Sequence, residues 1–485
     1  IRTCVRQFTV DIRSGHYAHS AKRSILGQMV NNYDAIVIGA GLAGLSAAFD
    51  LAEHGLHVLV LERDAQVGGR TSSWKANGMN VESGIHKFVG FYKEYEKFLK
   101  RAGLKLDDVF IYQDEIEIRV AEGGEKNFRP GRRIRRGRFG ISGIHRPLMT
   151  FGGALGNSEL LSWRDKWQLV RFVVAGTAQY LRNPLLLDRL SIAEYARQHG
   201  VSENVIYTVI WTFSSGLFFL SPERYSAYPF FALTWAGIKG SLSSRIAIFK
   251  GGMTEVMAAP IAEAIAKRGG EVLTEARVEK IVFEDGKPVG VAMGEEIYSA
   301  SRIVLATTIA PAKAIIEASE NVPKDAELKK LRVLPDMSGV TVQLELDSPG
   351  LLDDHVIFGA NSILGTFGEQ SHTTFPDSKG RISTFLTPTE PYIDMEDAEI
   401  VAAVVADLKR QSIDVEGRVT NSAVVRHASE FYCLEPGSEE LRPYQRTSIP
   451  GLALAGDYTR QSHICSMEGA VVSGRRAAES LIDRR

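Results

Sequence analysis

The tightest constraint on this chain's fold is a glycine triplet between its first strand and its first helix. Asp34–Gly39 (DAIVIG) is a short apolar run, and Leu42–His54 carries apolar residues at helical spacing. Between them Gly39-Ala40-Gly41-Leu42-Ala43-Gly44 has the form GxGxxG. Alone such a triplet is weak; after a strand and at the start of a helix it is the fingerprint of a dinucleotide-binding turn. Gly39 allows the tight turn, Gly41 lets a pyrophosphate approach the backbone, and Gly44 lets the helix lie close on the strand. The helix N-terminus contributes free N–H groups and a dipole that favours phosphate. His57–Glu62 (HVLVLE) is a second buried strand, which completes a parallel β–α–β crossover. It ends in Glu62, 21 residues after Gly41, where a carboxylate can accept hydrogen bonds from ribose hydroxyls and repel a 2′-phosphate.

A second glycine turn separates FAD from NAD. Gly68-Gly69-Arg70-Thr71 follows closely on Glu62 and Arg63, and a nicotinamide fold has no need of it. It suits a cofactor whose pyrophosphate takes one more cation and whose far end extends into a neighbouring domain. Arginine fits that position because its planar fork donates two parallel bonds to phosphate oxygens. FAD is therefore the expected cofactor, with Arg63 counted beside Glu62 in its binding set.

At 485 residues the chain is too long for one core. The expected class is α/β: a Rossmann-like FAD-binding domain with a discontinuous α+β substrate-binding domain. Ser191–Glu194 (SIAE) has capping-box spacing, and aromatic-rich helical sequence runs from Val205 to about Gly237. Thr254–Arg268 reads as a helix closed by Gly269-Gly270. Val340–Leu346 and Ile382–Leu386 alternate as strands, Asp397–Gln411 reads as a helix, and Leu452–Ala455 is a last buried strand before a closing helix. The cofactor domain is expected over 29–110, 245–311 and 425–485, and the substrate domain over 111–244 and 312–424. Residues 1–28 are basic and read as an upstream extension, with organelle targeting as the alternative.

The formal net charge of −1 gives no reason to expect nucleic acid. Three scattered cysteines, Cys4, Cys433 and Cys465, exclude a disulfide framework and a cysteine zinc site, so no metal is expected and a reducing, cytoplasmic setting fits. Asn204–Pro222 is uncharged but diluted by Ser, Thr and Gly, and reads as a buried helix rather than a membrane span.

GAGLAG, Glu62 and GGRT together resemble the superfamily of FAD-dependent amine oxidases and phytoene desaturases. The C-terminal run Leu454-Ala455-Gly456-Asp457-Tyr458-Thr459, then Ser466-Met467-Glu468-Gly469-Ala470-Val471, resembles the plant and cyanobacterial carotene desaturases within it. Glu82-Ser83-Gly84-Ile85-His86 matches that branch's E-x-G-x-H segment, and Arg442-Pro443 with Gln445 its R-P-x-Q run. The resemblance implies that Asp457 meets the ribityl or pyrophosphate part of FAD. It implies that the backbone around Met467 lies against the flavin ring and that the backbone of Val278 holds the adenine.

The same resemblance makes His86 the candidate catalytic group beside the ring, weighed against a structural histidine. Arg442 is a second candidate, to orient the flavin or a polar end of the substrate, weighed against a structural ion pair. Lys87 departs from the apolar residue often found there. Tyr207, Trp211, Phe213, Phe218, Phe219, Phe230, Phe231 and Trp235 read first as core and second as the wall of a site for a long apolar substrate. The expected activity is desaturation of a hydrophobic isoprenoid by hydride transfer to the flavin, with quinone or oxygen as electron acceptor. An amine oxidase, a hydroxysqualene-type isoprenoid oxidoreductase and a non-enzymatic prenyl-binding protein are the alternatives. His463-Ile464-Cys465-Ser466 lacks the aromatic that amine oxidases usually carry before the final helix. Peripheral membrane contact is a further option, through the aromatic segment or through Arg132, Arg133, Arg135, Arg136 and Arg138.

Overall fold

The computed structural model describes residues 29–113, 116–120, 161–239 and 246–482. The basic N-terminal segment and the arginine run at 132–138 lie outside the described residues.

Five short strands form a parallel sheet: β1 (Ala35–Ile38), β2 (Val58–Leu61), β3 (Glu271–Leu273), β4 (Ile303–Leu305) and β5 (Leu452–Leu454), in the order β3-β2-β1-β4-β5. All but the edge strand β3 are buried along their whole length, which is why they read as unbroken apolar runs. Their side chains alternate between two cores. Ile36, Ile38, Leu59 and Leu61 face one, and Ala35, Val37, Val58 and Val60 face the other.

On the second face lie helix α1 (Leu42–Glu53) and a C-terminal helix (Met467–Ile482) packed against it. The packing is backbone-close: a Cβ on Gly44 would lie 1.9 Å from the Gly39 carbonyl oxygen. The first face merges with a helical layer containing Trp163–Arg182, Ile192–Gln198, Trp211–Phe218 and Ala227–Lys239. Ser191 accepts the Glu194 N–H at 3.1 Å and opens the second of these, as its capping spacing predicts. The uncharged Asn204–Pro222 segment becomes short helical pieces, ended where Phe219 turns to φ +65°. Among the described residues no helix is long and apolar enough to cross a membrane. Phe218, Phe230 and Phe231 are core residues.

A six-stranded sheet, ordered Val419–Tyr432, Asp336–Leu346, Arg381–Leu386, Leu364–Glu369, Val356–Ala360, Ile116–Val120, is antiparallel except for its last pair. Two of the expected boundaries, after 110 and after 424, fall inside single strands, Phe110–Gln113 and Val419–Tyr432. The long strand Val419–Tyr432 carries the chain along the six-stranded sheet and on toward the Arg442 segment. Its two halves share no change of composition that would mark a boundary.

Candidate functional site

The carboxyl ends of β1, β2 and β5 lie at one edge of the parallel sheet, the usual ligand position in a sheet of this kind. Gly41 caps α1 without any side-chain acceptor for the helix's first N–H groups. The second glycine turn is tied to the first, because Gly68 donates its N–H to the Ala40 carbonyl at 2.8 Å. Gly68 and Gly69 sit at φ +119° and +55°, which only glycine adopts readily. Thr71 closes this turn through Oγ1 to the Gly68 carbonyl at 2.9 Å.

Glu62 accepts the N–H of Ala40 at 2.7 Å and of Asp64 at 3.0 Å. Burial raises its pKa, and these two backbone donors pull the other way. The carboxylate is thus fixed at the end of β2 beside the glycine turn. The loop carrying Val278 is stitched to it, with Ala276 donating to the Glu62 carbonyl at 2.7 Å. Arg63 sits at the rim, paired with Asp64 at 3.1 Å and half exposed.

Arg70 Nη2 lies 2.5 Å from Asp457 Oδ1, with its guanidinium 4.9 Å from the Phe431 ring centre. Asp457 is buried just after Gly456, whose N–H is taken by Ser473 Oγ at 2.9 Å. A Cβ on Gly41 would meet no protein atom nearer than the Gly68 carbonyl oxygen at 4.0 Å. The space over the first turn of α1 is therefore open, and its rim supplies backbone N–H donors and a guanidinium. This donor set fits the pyrophosphate of a dinucleotide.

Met467 begins the C-terminal helix. Glu468 beside it accepts the N–H groups of Glu94 and Tyr95 at 2.9 and 2.7 Å, capping the helix Lys93–Arg101. The Met-Glu-Gly motif thus ties the C-terminal helix to the helix Lys93–Arg101.

Toward the six-stranded sheet lies Gly84–Lys87. His86 Nδ1 is 3.0 Å from the Gly84 carbonyl, and burial lowers its pKa to about 4, so the ring is neutral at neutral pH. Burial lowers Lys87 to about 8, against the carboxylates of Glu82 and Asp354, which raise it. Both side chains keep some accessible surface although the protein desolvates them.

The glutamate at the head of that segment had no role assigned from its motif. Glu82 accepts from Gln370 Nε2 at 2.8 Å and exchanges backbone bonds with the Gln343 side chain at 2.9 and 2.6 Å. Fully buried Arg381 reaches Gln343 Oε1 at 2.5 Å and Gln370 Oε1 at 3.2 Å. Burial raises the Glu82 pKa to about 7. This network bolts Met79–Glu82 to the six-stranded sheet and so fixes where His86 stands. Its trace in the sequence is faint, because Gln343 and Arg381 stand in strands that also carry Thr341, Glu345, Ser383 and Thr384.

Arg442 differs from the expectation of a group turned toward flavin or substrate. It is fully buried; Nη1 lies 2.8 Å from Glu439, and the remaining donors reach the carbonyls of Asp457, Tyr458 and Thr459 at 3.1, 3.3 and 2.6 Å. With every arm occupied it cannot turn outward, and its work is to hold the Asp457 turn. Gln445 serves the same turn through Thr459 Oγ1 at 2.9 Å. No group of three or more His, Cys, Asp or Glu suited to a metal ion occurs among the described residues.

The chain is similar to the 15-cis-phytoene desaturase of Synechococcus elongatus, at 27% identity over 93% of this chain and 96% of that one. It is similar to a probable zeta-carotene desaturase from the same organism, at 28% identity over 92% and 98%. Its fold resembles that of wild-type putrescine oxidase bound to putrescine, with a TM-score of 0.70, 18% identity and coverage of 94% and 100%. An oxidoreductase from Methanosarcina mazei superposes with a TM-score of 0.69 at 19% identity, over 92% and 99%. Residues 42–482 match the flavin containing amine oxidoreductases; the chain belongs to that family and is an FAD-dependent oxidoreductase of its phytoene desaturase-like branch.

Proposed function

We propose that this enzyme desaturates a long, apolar isoprenoid of the carotene-precursor type. The observation that carries the reading is the character of the wall beside the cofactor crevice. The Phe219 and Phe385 rings stack at 3.3 Å, Phe431 packs edge-on to Phe219 at 5.4 Å, and Phe431 is the ring under Arg70. An apolar aromatic surface thus begins where the cofactor-side arginine ends. The curated relatives named for phytoene and zeta-carotene align with nearly the whole chain, which supports the same substrate class.

In this reading Gly39, Gly41 and Gly44 with Gly68–Thr71 receive the pyrophosphate. Glu62 and Arg63 lie at the ribose, Val278 at the adenine, and Gly456, Asp457 and Met467 along the ribityl chain and ring. FAD, when bound, supplies the two-electron acceptor for a hydride lost from carbon. The protein's part is to exclude water, align the chain and dispose of the proton lost from the adjacent carbon. His86, kept neutral by burial, can accept that proton through Nε2. Quinone or oxygen would take the electrons onward.

The test is product analysis. The flavin-loaded enzyme, given phytoene-type polyenes in liposomes with a quinone, should yield products with longer conjugated absorption. Peroxide released with amines, and no polyene product, would overturn the reading in favour of an amine oxidase.

A further inference from the structure

The strand Val419–Tyr432 is bulged near its end. Gly339 pairs with His427 and Met337 with Phe431, so Ala428, Ser429 and Glu430 stand opposite the single Ser338. Ser429 sits at φ +54°, a conformation that L side chains rarely adopt. Bulges re-aim side chains and gather beside functional sites. This one turns Glu430 back onto His427 and carries Phe431 under the Arg70 guanidinium. Gly339 makes the room, since a Cβ there would meet the Phe431 ring at 2.7 Å.

His427 is buried, with Nδ1 2.9 Å from Glu430 Oε2 and Nε2 2.6 Å from the Ser83 carbonyl oxygen. A carbonyl can only accept a hydrogen bond, and so can an ionised carboxylate. Each ring nitrogen therefore donates, which is the hydrogen-bonding state of an imidazolium. Burial raises the Glu430 pKa, but the His427 hydrogen bond and the charges of His427, Arg70 and Arg63 bring it below the usual carboxylate range. Ser83 passes the contact on, donating from Oγ to the Arg70 carbonyl at 2.5 Å. The pair thus touches two parts of the site: the Gly84–Lys87 segment that carries His86, and the arginine that faces Asp457.

We propose that His427, charged and paired with Glu430, is a positioning residue of the flavin site: it pins Ser83 and keeps the Glu430 carboxylate from competing for Arg70. Without the ring's charge Glu430 would face two cations. Arg63 already pairs with Asp64 at 3.1 Å, so Arg70 is the one it would draw away from Asp457 and the pyrophosphate. The pair is neutral as a whole. Removing either half alone leaves one net charge beside the flavin site, and removing both leaves none. Charge placed near a flavin tunes its reduction potential. A residue that served packing alone would move stability and leave the potential where it was. The inference rests on the placement of FAD at Arg70, which the FAD affinity of Arg70→Ala tests separately, and not on the identity of the substrate.

The experiment needs no substrate. The reduction potential of the flavin-loaded full-length protein is measured by anaerobic dye titration for wild type, His427→Gln, Glu430→Gln and the double variant. Glutamine at 427 keeps a donor for Ser83 but carries no charge. His427→Gln should lower the potential by about 30 mV, the two-electron equivalent of an about tenfold shift toward oxidised flavin. Glu430→Gln should raise it by a similar amount, and the double variant should return to the wild-type value. In nitrogen NMR of histidine-labelled protein, a ring protonated on both nitrogens should be present in wild type and missing in His427→Gln. A His427→Gln potential equal to wild type would overturn the proposal. So would a double variant displaced as far as His427→Gln, or a His427 ring with one proton. Should His427→Gln purify without flavin, Glu430→Gln still decides: a raised potential supports the pair's charge, and an unchanged or lowered one refutes it.

Discussion

Gly41→Ala separates the cofactor's demand on the phosphate turn from the fold's demand. Gly41 sits at φ −72° and ψ 173°, a conformation any residue adopts, and its added Cβ would find nothing within the protein nearer than 4.0 Å. The apoprotein's stability should change by no more than about 1 kcal/mol, since a lost cap preference and a reduced unfolded-state entropy oppose one another. The pyrophosphate loses its close approach to the first turn of α1. Losing one charge-assisted bond costs about 1.5–3 kcal/mol, or about 10- to 150-fold in the FAD dissociation constant. Gly44→Ala is the contrast, because its Cβ would meet the Gly39 carbonyl oxygen at 1.9 Å and the backbone must shift. It should lose about 1–3 kcal/mol of stability even without cofactor. Thermal melts of the deflavinated proteins and flavin fluorescence titrations measure the two effects separately. A Gly41→Ala protein that binds FAD as wild type does would refute the placement of the pyrophosphate over α1.

Three further outcomes follow from the same geometry. Arg70→Ala removes the guanidinium facing Asp457, and FAD affinity measured by titration should fall by about 10-fold or more; an unchanged value would remove Arg70 from the site. Glu82 titrates near 4.5 when unfolded and about 7 when folded, so its contribution is full below pH 4.5 and is lost as pH rises through 7. Glu82→Gln should therefore gain melting temperature relative to wild type at pH 8 and not at pH 5. His86, shifted from 6.5 to about 4, gives its stability above pH 6.5 and loses it as pH falls, in both proteins alike. Glu468→Ala strips two N–H caps from Lys93–Arg101 and should cost about 0.5–2 kcal/mol in a denaturant melt; no loss would show that the cap is not felt.

The cofactor half of the molecule was legible because its demands are local. A tight turn, a helix N-terminus and a strand-end carboxylate each fix residue types at short spacing, so Gly39–Gly44, Glu62 and Gly68–Thr71 stood out. Arg442 was ambiguous for the opposite reason. An arginine's donors serve a ligand or its own loop equally well, and only the carbonyls of Asp457, Tyr458 and Thr459 around it decide. The Glu82–Gln343–Gln370–Arg381 network joins Glu82 to residues 261, 288 and 299 positions away in the chain, a separation at which no periodicity operates.

The central claim is tested most directly by an anaerobic visible spectrum of the purified enzyme, before and after phytoene-type isoprenoid in liposomes. The account predicts an oxidised-flavin band that bleaches as a longer-wavelength polyene spectrum grows in. A band that stays oxidised with the isoprenoid and bleaches with an amine would contradict it.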